Sequence, residues 1–365
     1  MIFALLGFTA LFLAFSNGAN DNFKGFATVW GSDALTYRRA LVLATIATLL
    51  GGIASVVIAG ELVAQFSGKG LVGDDLANTP GFALAVAVGA GATVILATRL
   101  GFPISTTHAL VGGLVGAGLA QSTQPIDLGN LGSKFVLPLL TSPFLSAGLA
   151  FIAYLAVRSF RNRRKPTGDC ICVVAGADKF IDQNGVLMAR VAGQPSIKIA
   201  HQTECHAGPR PLLHGSIKRL LDRLHIFSAA SICFARGVND TPKLAALLIG
   251  TQVLSGTASA LAVTAAMAVG GWLLARRVAE TMSLKINRLD PPQGITANLT
   301  TAALVLGASR LGLPVSTTHV SVGSIIGTGA GAGTLDTGVV RNVLLSWVAT
   351  LPIAGMIAFV VGSLV

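Results

Sequence analysis

The sequence predicts an all-α polytopic membrane protein with two inverted-topology repeats, discontinuous helices and about ten to twelve membrane segments. Three observations lead to this fold class. Only 11% of the 365 residues are charged, and the mean hydropathy is +0.72. Several uncharged runs are long enough to cross a bilayer, and two motifs each occur twice. Soluble domains carry roughly 25% charged residues, so a single water-soluble core is excluded.

Membrane helices are expected where an uncharged run reaches the ~30 Å thickness of the hydrocarbon core at about 1.5 Å per residue. The clearest runs are Ala40 to Gly60, Phe82 to Thr98, Phe135 to Val157 and Leu244 to Ala275. The first apolar stretch, Met1 to Phe15, has no basic leader and no small-residue cleavage site. We therefore expect it to be retained as a membrane helix, with lipid around the whole assembly.

The chain repeats itself internally. Residues 97–118 (ATRLGFPISTTHALVGGLVGAG) match residues 308–329 (ASRLGLPVSTTHVSVGSIIGTG) at 13 of 22 positions, with an offset of 211. A second motif, Gly-x-Asn-Asp followed three residues later by Lys, begins at Gly18 and again at Gly237, with an offset of 219. A period near 210 residues excludes short solenoid arrays and is compatible with the duplicated halves of secondary transporters.

The repeats divide the chain into three predicted parts: a first transmembrane repeat over 1–157, a linker over 158–222 and a second, inverted repeat over 223–365. The stretch from Arg158 to Arg223 holds 12 of the 26 Lys and Arg residues and five acidic ones. Positive charge between hydrophobic blocks follows the positive-inside rule, which predicts a cytoplasmic linker and not a nucleic-acid partner. Alternating stretches after Cys170 and Gly185 suggest a small β-rich insertion.

Inversion follows from counting helices. The first half contains five predicted crossings, an odd number, so equivalent loops of the two halves lie on opposite sides. With the linker inside, both termini lie outside, Arg38 and Arg39 lie inside, and the acidic loop with Asp74 and Asp75 lies outside. The expected location is the plasma (inner) membrane, as a multi-pass protein.

The Ser-Thr-Thr-His motifs predict two anion-binding helix starts. Each follows a Gly-x-Pro between apolar segments, where proline and hydroxyl residues favour the start of a half-helix. Such a start presents free backbone N–H groups to an anion. The hydroxyls that add donors to a tetrahedral oxyanion are Ser105, Thr106, Thr107, Ser316, Thr317 and Thr318. The alternative is that they only cap the helix or bond back to its carbonyls.

The Asn-Asp motifs place a carboxylate and an amide in hydrophobic segments, where an unpaired charge costs at least ~2.5–3.5 kcal/mol. A helix break beside Gly18 or Gly237 would free carbonyls that, with oxygens of Asn20, Asp21, Asn239 and Asp240, coordinate Na⁺. Alternatively, Asp21 pairs only with Lys24 and Asp240 only with Lys243; both readings are compatible. An Asp acceptor also favours phosphate over sulfate, because phosphate keeps a proton near neutral pH.

Together the duplicated Gly-x-Asn-Asp and Gly-x-Pro-[Ile/Val]-Ser-Thr-Thr-His motifs resemble the inorganic phosphate transporter (PiT) family. Val278-Ala-Glu-Thr281, Pro143 and Pro352 extend the likeness. The resemblance implies a homodimeric, inverted-repeat symporter of phosphate with Na⁺ or H⁺ by alternating access, with some sulfate-carrying relatives. The implied anion ligands are the Ser-Thr-Thr triplets and the Asn-Asp pairs, and the implied Na⁺ ligands are Asp21, Asp240 and nearby oxygens.

Two residues depart from the family pattern. Lys24 and Lys243 stand where many members have small residues, so a fixed ammonium is a candidate to compensate charge in place of a cation and to favour sulfate. Asn298 stands where many relatives carry an acidic residue, which removes one intramembrane charge. The coupling stoichiometry therefore does not transfer from the family.

Other function classes explain less. Ser105 with His108 could suggest a hydrolase, but both halves repeat the pair and no orienting acid accompanies it, so no enzyme is predicted. The absence of a P-loop argues against an ATP-driven pump. A passive anion channel is the remote alternative. No permanent cofactor is expected, since the linker residues Cys170, Cys172, His201, Cys205 and His206 lack a standard zinc spacing.

Overall fold

Helices form most of the computed structural model, which describes residues 1–164, 170–183, 186–200, 213–286 and 289–365. Two compact units can be distinguished. The larger one comprises Met1–Tyr154 and His225–Val365, and the smaller one comprises Leu155–Leu224. The larger unit contains all the repeated motifs.

The first half contains five long helices joined by short helical pieces. The long ones are α1 (Ile2–Asp21), α3 (Tyr37–Ile58), α6 (Pro80–Leu100), α7 (Thr106–Gln121) and α9 (Leu137–Arg164). The short ones are α2 (Ala27–Gly31), α4 (Glu61–Phe66), α5 (Asp74–Ala77) and α8 (Leu128–Asn130), the last followed by a π-helical segment, Leu131–Val136. Four of these long helices coincide with the apolar runs of the first half, and α7 begins within the first Ser-Thr-Thr motif.

The second half repeats this order with fewer short pieces. Its long helices are α10 (Ile217–Gly250), α11 (Gly256–Leu274), α13 (Pro291–Arg310), α14 (Thr317–Ala332) and α15 (Thr337–Gly362). Between α11 and α13 lie α12 (Arg276–Glu280) and a π-helical segment, Thr281–Lys285.

Local sequence signals explain the helix boundaries next to the repeated motifs. Thr79 caps α6 ahead of Pro80, and Asp290 forms a capping box with Gln293 at the start of α13. Gly101 (φ 79°) and Gly312 (φ 66°) follow the last turns of α6 and α13 in the left-handed conformation, which glycine adopts without strain. These two turns end the helices shortly before the Ser-Thr-Thr motifs.

The smaller unit contains an antiparallel sheet in the order β2–β1–β3. The strands are β1 (Cys170–Gln183), β2 (Val186–Ala200) and β3 (Leu213–Ser216). Cys170 pairs with Ala200 on one side and with Ser216 on the other. The other linker histidines and cysteine considered as metal ligands, His201, Cys205 and His206, lie outside the described residues.

Large apolar side chains cover much of the outer surface of the larger unit. Val57 is 89% exposed, Phe144 78% and Val348 74%. Six helical stretches in the described parts of the chain are long and apolar enough to cross a membrane, from Ile2–Gly31 at the start to Thr337–Gly362 at the end. The unpaired apolar surface is explained by contact with lipid.

Equivalent helices of the two halves make equivalent contacts with the opposite half. α1 packs on α11, where a Cβ added at Gly18 would lie 1.8 Å from the Met267 carbonyl oxygen. α10 packs on α3, where a Cβ at Gly237 would lie 2.4 Å from the Thr48 carbonyl oxygen. Both residues of the first pair are 219 positions from their counterparts in the second. Small residues permit this close approach between helix backbones.

The two half-helices also pack against the opposite half. A Cβ at Gly112 of α7 would meet the Leu351 carbonyl oxygen of α15 at 2.3 Å, and a Cβ at Gly327 of α14 would meet the Ala147 carbonyl oxygen of α9 at 2.1 Å. Each half-helix therefore packs against the last long helix of the other half. Such reciprocal pairing is what a two-fold relation between halves produces.

Candidate anion and cation site

Each Ser-Thr-Thr motif begins a half-helix. Ser105 Oγ accepts a hydrogen bond from His108 N at 3.0 Å, and Ser316 Oγ accepts one from His319 N at 3.3 Å. α7 and α14 have 16 residues each, or about 24 Å, which is shorter than the ~30 Å hydrocarbon core. The two serines thus act as N-caps, which is the helix-capping role considered above for the motif hydroxyls. The threonine hydroxyls do not cap the helices and make other contacts.

The backbone around the two Asn-Asp motifs differs between the halves. α1 ends at Asp21, and the chain turns over residues 22–26 before α2 begins. α10 instead continues through Gly237 and Asp240 to Gly250, so the expected break beside Gly237 was wrong. Pro242 lies inside α10 and, because it lacks an N–H, cannot donate to the Val238 carbonyl.

Asn20 and Asn239 tie the helix-start loops to α1 and α10. The Asn20 amide donates to Thr98 Oγ1 and to the Phe102 carbonyl, both at 3.0 Å, while its oxygen accepts from Ile104 N at 3.2 Å. Asn239 Oδ1 accepts from Ser309 Oγ at 3.0 Å, and its amide donates to the Val315 carbonyl at 3.4 Å. Both amide oxygens are thus engaged, that of Asn20 by the loop before α7 and that of Asn239 by the last turn of α13.

The two lysines link opposite halves. Lys24 Nζ bonds Asp21 Oδ1, Thr318 Oγ1 and, at 3.3 Å, the Ile104 carbonyl. Lys243 Nζ donates to Thr107 Oγ1 at 3.2 Å and to the Val315 carbonyl at 2.5 Å, and lies 3.9 Å from Asp240 Oδ1. Each lysine therefore joins the carboxylate of its own half to a motif threonine of the other half.

Asn17 and Arg236 complete the cluster between the two carboxylates. Asn17 Nδ2 lies 3.4 Å from Asp21 Oδ2, 3.3 Å from Asp240 Oδ2 and 3.0 Å from Thr106 Oγ1. Arg236 donates to Asn17 Oδ1 at 2.6 Å, and its Nε lies 3.4 Å from Asp240 Oδ2. A single amide nitrogen thus contacts both aspartates, so the carboxylates share one polar environment.

Five ionisable side chains of this cluster are closed off from solvent. Asp21, Lys24, Arg236, Asp240 and Lys243 are all 4% exposed or less. Buried charges persist only when they are paired and hydrogen-bonded, and each of these groups has at least one charged or polar partner. Three basic groups meet two acidic ones, so the ionised cluster has a net charge of +1.

The match of the chain to known sequences settles its family. A model described as the Phosphate transporter family matches residues 17–358. The chain belongs to this family. The matched segment includes the site residues from Asn17 to Thr318, so the family assignment covers both copies of both motifs.

Sequence similarity to relatives in the family extends over nearly the whole chain. A protein of Thermococcus kodakarensis named "Putative phosphate permease" is 28% identical, covering 95% of this chain and 93% of its own length. Inorganic phosphate transporter 2-1, chloroplastic, of Arabidopsis thaliana is 27% identical, covering 98% of this chain and 70% of its own. A solved structure of a sodium-dependent phosphate transporter is 23% identical, with a TM-score of 0.75 over 100% of this chain and 98% of that one.

These comparisons confirm the predicted family and the helical, membrane-spanning fold. The phosphate transporter family is a family of membrane transporters, and phosphate is its substrate. The number of membrane segments and the inverted orientation of the repeats stay predictions.

The structure brings all the predicted site residues of this family member into one buried region, with Thr317 buried at the start of α14. Sequence reasoning missed Asn17 and Arg236. Arg236 had a usable signal, because an ionisable residue in an apolar segment is a functional candidate by default. Asn17 becomes noticeable only after the 219-residue offset aligns it with Arg236.

Asn298, which departs from the family pattern, belongs to a second buried network. Its amide donates to Thr28 Oγ1 and to Ser228 Oγ, both at 3.1 Å. His225 Nε2 lies 2.9 Å from the same threonine hydroxyl. The neutral amide is satisfied by neutral partners, so the lost acidic group leaves no unpaired cation among these contacts.

The motif histidines meet where the two half-helices approach each other. The rings of His108 and His319 are 4.4 Å apart between centroids, and His319 also packs on Trp347 at 3.8 Å. Trp347 in turn donates to the Pro103 carbonyl at 3.1 Å. The histidines therefore connect both helix starts to α15 by ring contact.

Proposed function

We propose that this chain is a secondary active transporter of inorganic phosphate, coupled to Na⁺ or H⁺ and working by alternating access. One observation carries the proposal: a buried cluster joins both half-helix starts to both Asn-Asp motifs and has more basic than acidic groups. Helix N-termini, hydroxyls and ammonium groups are the donors that a tetrahedral oxyanion requires. Family membership supports phosphate as the anion.

In this proposal the threonine hydroxyls of the two motifs bind phosphate oxygens. Thr107 and Thr318 bond the lysine ammonium groups in the structure. A bound phosphate would accept hydrogen bonds from the ammonium groups of Lys24 and Lys243, which would turn from the threonine oxygens to the anion. Ser105 and Ser316 support the site through the backbone, because they cap the helices whose N–H groups face the anion.

The coupling cation is proposed to bind at the aspartates, with Asn20 and Asn239 as further candidate Na⁺ ligands. Because Asn20 Oδ1 and Asn239 Oδ1 already accept hydrogen bonds, the carboxylate oxygens facing Asn17 have the greatest capacity for a cation. Na⁺ is favoured over H⁺ by the likeness to a sodium-dependent phosphate transporter.

Sulfate is the second candidate substrate, and a specific observation favours it. Lys24, Lys243 and Arg236 surround the aspartates, and extra fixed positive charge suits an anion that stays fully ionised. A passive anion channel is the more distant alternative.

The proposed topology and assembly follow the sequence argument: inverted repeats, both termini outside, a cytoplasmic linker over 158–222, and a homodimer in the plasma (inner) membrane. The basic linker supports the sidedness. The reciprocal contacts of the two halves support a two-fold relation between repeats.

Uptake of radiolabelled phosphate into proteoliposomes tests the function. Accumulation driven by an imposed inward Na⁺ or H⁺ gradient, with sulfate as competitor, is the expected result. Phosphate that only equilibrates under every gradient would indicate a channel. Sulfate accumulation without phosphate accumulation would exchange the first candidate for the second.

A further inference from the structure

We infer that the net charge of +1 on the buried cluster requires the ions that are bound and transported together, here called the load, to have a net charge of −1. This corresponds to one monovalent cation per HPO₄²⁻. The inference rests on the proposed transport function and deepens it by assigning a stoichiometry. It comes from the charges of five buried side chains and from the way they are paired.

The charged groups form two sets, one in each half. Asp21 pairs with Lys24, and that pair is neutral wherever its shared proton lies. Asp240 contacts two cations, Arg236 at 3.4 Å and Lys243 at 3.9 Å. The second set therefore has an excess of one positive charge. The rings of the nearby His108 and His319 contact each other at an interplanar angle of 44° and are counted as neutral.

Arg236 is the origin of the excess. It occupies the position that Asn17 occupies in the first half, 219 residues earlier, whereas the Asp and Lys of the motif are the same in both halves. Its side chain is 1% exposed, and arginine supplies a fixed positive charge in proteins. The duplication alone would have produced a neutral cluster, and this one replacement makes it +1.

A buried excess charge is costly in the membrane interior, and a bound load of opposite charge offsets that cost. A load of −1 makes the occupied cluster neutral. Dihydrogen phosphate meets this condition with its own proton, and HPO₄²⁻ meets it with one Na⁺. A load of HPO₄²⁻ with two Na⁺ would leave the excess uncompensated.

The test measures the Na⁺ to phosphate ratio in proteoliposomes with ²²Na⁺ and ³²P, together with the effect of membrane potential. The wild-type chain is expected to move no more than one Na⁺ per phosphate and to take up phosphate faster when the vesicle interior is positive. Two or more Na⁺ per phosphate, or acceleration by an interior-negative potential, would overturn the inference.

A charge-changing variant gives a second arm. Lys243→Met makes the cluster neutral, so its load should be neutral: the cation count should rise by one and the potential dependence should vanish. Lys134→Met removes an exposed lysine elsewhere and should leave the ratio unchanged. An unchanged ratio in Lys243→Met would contradict the inference, and if that variant does not fold, the wild-type ratio still decides.

Failure of the proposed function looks different. In that case the wild-type chain accumulates no phosphate under any cation gradient. The stoichiometry fails only when phosphate accumulates with the wrong number of cations or the wrong sign of charge movement.

Discussion

The two halves of the larger unit share their framework and differ at the carboxylates. In the first half the helix ends at Asp21, whose charged partner is Lys24. In the second half α10 runs on past Asp240, which contacts both Arg236 and Lys243. The duplicated glycines and serines make matching contacts in the two halves, so around the carboxylates the halves differ in charge and in one helix break.

This difference suggests a division of labour within the proposed site. Asp21 has fewer resident donors, and the turn over residues 22–26 follows it, so this side is the better place for a cation. Asp240 lies beside the excess positive charge, which favours the anion on that side. In this proposal the two halves are alike in shape and differ in the ion that each binds.

Arg236→Ala is expected to have the strongest effect on the difference between the two halves. Loss of one partner of a buried ion pair costs about 3–5 kcal/mol, so we expect a marked loss of thermal stability in detergent and no measurable phosphate uptake. Asn17→Ala removes the equivalent neutral group and should cost about 1–3 kcal/mol. Equal losses in the two variants would contradict the asymmetry, and Arg236→Lys should restore part of the stability.

The next comparison tests the symmetry of the framework with Gly18→Ala and Gly237→Ala. Each added Cβ would meet a backbone carbonyl oxygen of the opposite half, Met267 or Thr48. Overpacking of this kind costs about 1–3 kcal/mol, and the two variants should lose similar stability. Gly7→Ala, in the same helix as Gly18 with open space around it, is the control. A loss in one half only would break the reciprocal relation.

A smaller effect is expected when each lysine is removed separately. Lys24→Met leaves Asp21 without its basic partner, so Na⁺ should replace the ammonium and the half-saturating Na⁺ concentration should fall about tenfold, equivalent to about 1.4 kcal/mol. Lys243→Met leaves Arg236 beside Asp240, and the fall should be about threefold or less. Sodium titrations of phosphate uptake measure both, and a larger shift in Lys243→Met would reverse the assignment of the cation side.

The smallest effect concerns the serine caps. Ser105→Ala and Ser316→Ala each remove one helix cap, at a cost of about 1 kcal/mol of stability. Because both hydroxyls accept from the third residue of the helix, similar small losses are expected in thermal unfolding. A loss of phosphate affinity far beyond the loss of stability would indicate direct anion contact by the serine in question.

Much of this arrangement was predictable because it depends on local signals. Proline, glycine and hydroxyl residues located both half-helix starts, and the repeated motifs identified ten residues that lie together. The unbroken course of α10 was not predictable, since Gly237 and Pro242 suggest a break and packing against α3 overrides it. Arg236 and Asn17 were missed because their pairing depends on how distant helices pack.

A density map of the protein with bound phosphate would show directly which groups hold the anion. We expect phosphate density within hydrogen-bond distance of threonine hydroxyls from both motifs, Thr107 and Thr318, with the lysine ammonium groups turned from those hydroxyls to the anion. Phosphate bound to the motif of one half alone, or outside the cluster with both lysines still on the threonines, would contradict it.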